Sequence, residues 1–127
     1  MAVNAVILSD KDFETVVKVT TTSTNTNASI IDASALEGAD TDPRLSIVAC
    51  QWTTGSQTNI LFDANTNDVA LSLNGNGTYN VGAQSMPSIA NPASAGVSGD
   101  ILLTNGSASV GTIWLKLRKV SGFNNLT

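Results

Sequence analysis

Apolar and polar residues alternate with a period of two along much of the chain, and no segment makes a convincing helix. From Phe13 to Thr20, Phe13, Val17 and Val19 fall on one face and Glu14, Lys18 and Thr20 on the other. That pattern predicts a half-buried strand. Thr112 to Val120 repeats it, with Ile113, Leu115 and Leu117 opposite Trp114, Lys116 and Arg118. Asp68 to Leu73 sends Val69, Leu71 and Leu73 inward. In Arg44 to Trp52 both faces are apolar, Leu45, Ile47 and Ala49 against Val48, Cys50 and Trp52, as in a central strand covered on both sides. Shorter strands are predicted at Ala28 to Asp32, Thr58 to Asp63, Thr78 to Val81 and Ile101 to Thr104.

Turn chemistry separates these runs. Thr53 to Gln57 has the length of a hairpin turn, and Asn74-Gly75-Asn76-Gly77 carries the strongest hairpin signal, because Asn and Gly tolerate positive φ. The run TTTSTNTN, Thr20 to Asn27, reads as a polar connector. Ser34 to Pro43 reads as a loop with one helical turn, and Ser121 to Thr127 as an exposed terminus. Gly82 to Ser98 holds two prolines and no period, and loops this long are usually functional or disordered. About eight short strands result. The fold class expected is all-β, an antiparallel β-sandwich, jelly-roll-like, as a single domain over 1–127 with short N- and C-terminal extensions.

Composition narrows the function classes. Charged residues are 13% and apolar residues 42%, against about 25% charged in an average soluble protein. This is a β-rich chain hydrated through hydroxyls and amides. A net charge of −4, with only Lys116, Arg118 and Lys119 clustered among the cations, argues against nucleic-acid binding. No stretch approaches the apolar length of a membrane span, so no membrane partner is expected. MAVNAVILSDKDF lacks the basic start of a signal peptide, so synthesis in a cytoplasm is expected. Cys50, the single cysteine, sits among Leu45, Ile47, Val48 and Trp52 and is expected to be buried and inert.

Candidate chemistry is sparse. The chain has no histidine, which removes the commonest general base and metal ligand. Asp63, Asp68 and Asp100 supply a nominal carboxylate pair for glycoside hydrolysis, but each borders a turn, where Asp bonds its own backbone. DANTND, Asp63 to Asp68, spaces oxygen ligands like a calcium loop without that loop's central Gly or terminal Glu. Gly75-Asn76-Gly77 is too short for a phosphate cradle. Trp52, Trp114 and Tyr79 are candidates for a sugar-stacking platform; the favoured places are the core for Trp52 and an interface for Trp114. No enzyme, cofactor or metal site is expected.

The order DVALSLNGNGTYN, then a Pro-containing loop ending AGVSGDILLT, then GTIWLKLRK, spanning roughly Ile60 to Lys119, resembles the C-terminal half of small virion structural proteins of tailed bacteriophages. The resemblance implies a decoration or cement protein on the outer capsid surface, bound to the major capsid protein and to itself as an oligomer, often a trimer. The localisation it implies is the virion, after synthesis in the host cytoplasm. The alternatives are a tail, baseplate or fibre component and a carbohydrate-binding adhesion module.

Met86, Pro87 and Ile89, with Pro92 and Val97, are apolar residues in a loop, where solvent gives them little reason to be. With the outward Trp114, Lys116 and Arg118 they are the candidate assembly contacts. The alternative is that Met86, Ile89 and Val97 cap one end of the core.

Overall fold

A computed structural model describes residues 3–22, 24–81, 86–91, 98–105 and 110–124, with Pro92 and Val97 outside that set. The chain is all-β and antiparallel. Among the described residues, eight strands, β1 (Val3–Asp10), β2 (Glu14–Thr21), β3 (Asn25–Ile31), β4 (Ala39–Phe62), β5 (Asp68–Tyr79), β6 (Ile89–Ala90), β7 (Ile101–Asn105) and β8 (Gly111–Phe123), accompany one 3-10 turn at Ala33–Ala35. They join in a single sheet of order β1-β2-β8-β4-β7-β3, with β5 and β6 also on β4. The two-layered jelly-roll sandwich does not emerge from this pairing, which describes a sheet curled into a half-barrel.

The curl comes from β4. Its residues up to Thr54 pair with β8, and from Thr58 its partner becomes β7, while β5 lies along both parts. The register shifts between Thr54 and Thr58, where β5 supplies Gly75 at φ 69°. Bulges bend strands in this way. Thr53 to Gln57 is thus a corner within one strand, and Asn74 to Gly77 lies inside β5; neither is the expected hairpin turn. The actual hairpin between β4 and β5 spans the DANTND segment, where Asn67 Oδ1 accepts from the Ala64 N–H at 3.0 Å.

Two further bulges correct the alternation read from the sequence. Ile47 pairs with Leu117 but Ala49 with Lys116, so Val48 is an extra residue. Leu45, Ile47, Cys50 and Trp52 consequently share the core face, with Leu45, Ile47 and Cys50 buried and Trp52 packed against them. The strand is not apolar on both faces. In β5 the shift at Ala70 leaves Leu73 buried and Leu71 near the core, while Val69 is 53% exposed.

The core gathers Val17 and Val19, Ile30 and Ile31, Ile47 and Ile60, Ile101 and Leu103, and Ile113, Leu115 and Leu117. Each fully buried side chain of this kind contributes about 1.5–3 kcal/mol. Phe13 precedes β2 in the turn after β1 and stays 54% exposed, contrary to its predicted inward place. Ser121 to Phe123, expected to be an exposed tail, extend β8 and bury Phe123. Asn25 to Asn27, expected to be connector, open β3, and β1 is a strand where none was predicted. The ends of the strand order, β1 and β3, approach each other without pairing.

Candidate interaction surface

Strand β8 divides its side chains cleanly. Ile113, Leu115, Leu117 and Lys119 are buried, while Lys116 and Arg118 are exposed and Trp114 is half-buried on the outer face. Trp114 sits between Lys18 of β2 and Gln51 of β4. Lys116 forms an ion pair with Glu14 of β2 at 3.0 Å, both side chains 47% exposed. Exposed pairs of this kind are worth about 0–1 kcal/mol.

Segment 86–91 is fastened beside this face. Tyr79 donates its hydroxyl to the Pro87 carbonyl at 2.6 Å. Asn80 accepts from the Met86 N–H at 2.9 Å and donates to the Val48 carbonyl at 2.8 Å, so the bulge residue anchors the segment. Met86 and Pro87 are exposed, whereas Ile89 pairs with Ile47 and packs against the core. Met86 and Arg118 meet with Phe13, Glu14 and Val48 around an open groove of about 410 Å³. Trp114 and Lys116 line a neighbouring depression with Val16, Gln51 and Val81. Of the predicted contact residues, Met86 and Arg118 thus share one groove and Trp114 and Lys116 the depression beside it, whereas Ile89 packs on the core and Pro87 is exposed with its carbonyl held by Tyr79.

One group escaped prediction. Lys119 is buried, its side chain 0% exposed, with Nζ 2.7 Å from Asp10 Oδ1 and 2.8 Å from the Glu37 carbonyl it donates to. The Phe123 ring lies 5.2 Å away. Burial works to raise the Asp10 pKa, but Lys119, the Glu37 N–H and the Thr15 hydroxyl outweigh it and hold the carboxyl below its ordinary value. The signal was in the parity of Lys119, which matches Ile113, Leu115 and Leu117.

The other candidate chemistry resolves into structural roles. Asp100 Oδ1 accepts from the Ala33 N–H at 2.9 Å, and Asp63 accepts from the Ser98 hydroxyl. Burial, reinforced by the nearby Asp32 and Asp63 charges, raises the Asp100 pKa. Asp68 opens β5 opposite Phe62. Among the described residues no group of three or more His, Cys, Asp or Glu is arranged to hold a metal ion. Burial pushes the Cys50 thiol up to about 12, away from nucleophilic use. Trp52 lies across Gly77, where a Cβ would stand 2.8 Å from its Cε2. Trp52 and Tyr79 pack against the core, and Trp114 is on the opposite face of the sheet. The three rings do not share a platform.

Compared with family models, with curated proteins and with solved structures, the chain matches none of them.

Proposed function

We propose that the chain is a non-enzymatic structural protein of a bacteriophage virion, a decoration or cement protein that binds the outer capsid surface as a homo-oligomer. The observation that carries this reading is the groove where Phe13, 54% exposed, and Met86, 53% exposed, flank Arg118 on a rigid sheet face. Apolar side chains rimmed by polar ones mark docking surfaces, and aromatic, Met and Arg side chains are those enriched in interfaces. Segment 86–91 reaches this face already tied down by Tyr79 and Asn80, which lowers the entropy lost on docking. The partner proposed is the major capsid protein. A jelly-roll-like kinship with β-sandwich decoration domains belongs to the same reading, supported by the way β4 and β5 turn a corner around one core.

A tail, baseplate or fibre component would use the same face. The carbohydrate-binding reading is weakened by the separation of Trp114 from Trp52 and Tyr79. The deciding experiment is immunogold labelling of purified virions with antibody to the recombinant chain, paired with a mass-spectrometric copy count. Label over the whole shell at high copy number is expected. A few copies at the tail would transfer the protein to that assembly, and its absence from particles would overturn the proposal.

A further inference from the structure

An asparagine followed by glycine is prone to lose its side-chain amide, because a glycine nitrogen brings no Cβ into the way as it closes on the preceding carboxamide. The chain holds three such pairs, Asn74-Gly75, Asn76-Gly77 and Asn105-Gly106. The fold gives them different surroundings. Asn105 is 2% exposed, and its Oδ1 accepts from the Asn25 backbone N–H at 2.6 Å and from Asn25 Nδ2 at 3.3 Å, so its carboxamide is held in place. Asn74 and Asn76 are both exposed on β5.

Those two differ in their backbone. Asn76 pairs with Thr53 and Gly77 with Trp52 inside a regular stretch of ladder, and Thr53 is fixed from its other side by Thr112 of β8. The Trp52 indole also lies across Gly77, where even a Cβ would run into it. Asn74 has neither restraint. The register passes from Thr54 against Gly75 to Thr58 against Leu73, which leaves no partner in β4 across from Asn74. Gly75 stands at φ 69° with nothing within 4 Å of a Cβ built on it, and the Thr54 hydroxyl reaches its carbonyl only at 3.5 Å. Among the described strands β4 alone pairs with β5, so the other side of β5 is not clamped by one. Attack by the glycine nitrogen needs the asparagine backbone to swing out of strand geometry. A ladder position resists that movement, and an unpaired corner position permits it.

We propose that Asn74 is a site of spontaneous covalent modification, at which the Gly75 nitrogen attacks the Asn74 carboxamide and converts it, through a cyclic imide, to aspartate and isoaspartate. The bond from the Gly75 nitrogen to Asn74 Cγ forms and the Cγ–Nδ2 bond breaks. Nδ2 leaves as ammonia, taking up the proton that the Gly75 nitrogen gives away. Water then adds to one of the two imide carbonyls, and the ring opens to a carboxylate. A neutral side chain thus becomes an anion at the corner of β4, and the isoaspartate product adds a methylene to the β5 backbone there. The same fold shields Asn76 and Asn105, so chemistry open to three sequence pairs is directed to one. This inference does not rest on the virion reading.

Peptide mapping by mass spectrometry tests it, on the full chain kept folded in mildly alkaline buffer made with heavy-oxygen water, with isoaspartate detected by enzymatic methylation. Labelled aspartate and isoaspartate are expected at Asn74 several-fold faster than at Asn76, with Asn105 intact. In urea the difference between Asn74 and Asn76 is expected to collapse, because the ladder and the Trp52 ring no longer protect Gly77. Asn74→Gln keeps an amide but lengthens the ring that must close, so it should remove the acidic form seen by ion exchange while the circular dichroism spectrum is retained. The proposal is overturned if Asn74 stays intact in the folded chain, or if Asn76 or Asn105 converts there as fast as Asn74.

Discussion

Strands β8 and β4 lie side by side and bury residues of the same kinds, yet only one of them follows the simple rule of alternation. In β8 the residues of one parity from Ile113 to Lys119 are all buried, and none of the intervening ones is. In β4 the parity changes at Val48 and the ladder breaks again before Thr58. The lesson is mechanical. A straight strand records its buried face in sequence parity, whereas a strand that must turn a corner inserts residues and scrambles that record.

The comparison breaks most violently if β8 is given a bulge it does not have. One alanine inserted between Leu115 and Lys116 turns Leu117 outward and Lys116 and Arg118 inward, and we expect loss of the cooperative thermal transition. Deleting Val48 from β4 does the reverse. It leaves Leu45, Ile47, Cys50 and Trp52 in regular alternation and costs mainly the Asn80 hydrogen bond, about 1 kcal/mol. A deletion as damaging as the insertion would show that the bulge itself holds the fold together.

Next in size is the buried cation at the end of β8. Asp10→Ala strands Lys119 without its counter-ion, and removing one partner of such a pair costs about 3–5 kcal/mol. Lys119→Met should cost less, since it removes the buried charge and leaves a carboxylate with 21% of its side chain exposed. The sign with pH follows from linkage. Asp10 is held below the ordinary value of 3.8 in the folded chain, so its contribution is whole above that pH. It is lost as pH falls through the lower folded value. Acid titration of wild type against Asp10→Ala, followed by thermal melts, should show the gap between them closing below about pH 4.

Smaller again is the cross-strand seat of Trp52. Gly77→Ala forces the ring off the backbone of β5, and overpacking of this kind costs about 1–3 kcal/mol. Tryptophan fluorescence should shift with the loss of stability. Unchanged emission and stability would mean that the ring is not held where Gly77 lets it lie.

The parts legible in the sequence were those where local chemistry and global shape agree. The class of the fold, the faces of β8, the buried Val17 and Val19, and the inert Cys50 all follow from parity and composition. What failed did so for identifiable reasons. Gly75 and Gly77 advertised a hairpin because positive φ and a missing Cβ are what a hairpin needs, but one serves a corner and the other a tryptophan ring. Strand β1 was passed over, and its Val6, Ile7 and Leu8 remain exposed beside β2. The adjacency of Met86 and Arg118 depends on Asn80 reaching the carbonyl of a bulge residue. No spacing along the chain encodes that.

The smallest effect on stability is expected where the proposed function asks for the largest effect on binding. Met86 is 53% exposed, and what the structure ties down at that point is its backbone N–H, held by Asn80, not its side chain. Met86→Ser should therefore leave the melting temperature nearly unchanged, as surface substitutions usually stay within about 0.5 kcal/mol. Phe13→Ser should behave alike, since the Phe13 backbone carbonyl, which accepts from the Lys119 N–H at 2.8 Å, survives the change. Co-sedimentation of the double variant with particles lacking the protein should show binding lost while the fold is kept. Ile89→Ser is the contrast: its side chain packs on the core beside Ile47, so it should lower the melting temperature whatever it does to binding. If the double variant melts early and Ile89→Ser does not, the division between core and contact face drawn through segment 86–91 is the wrong way round.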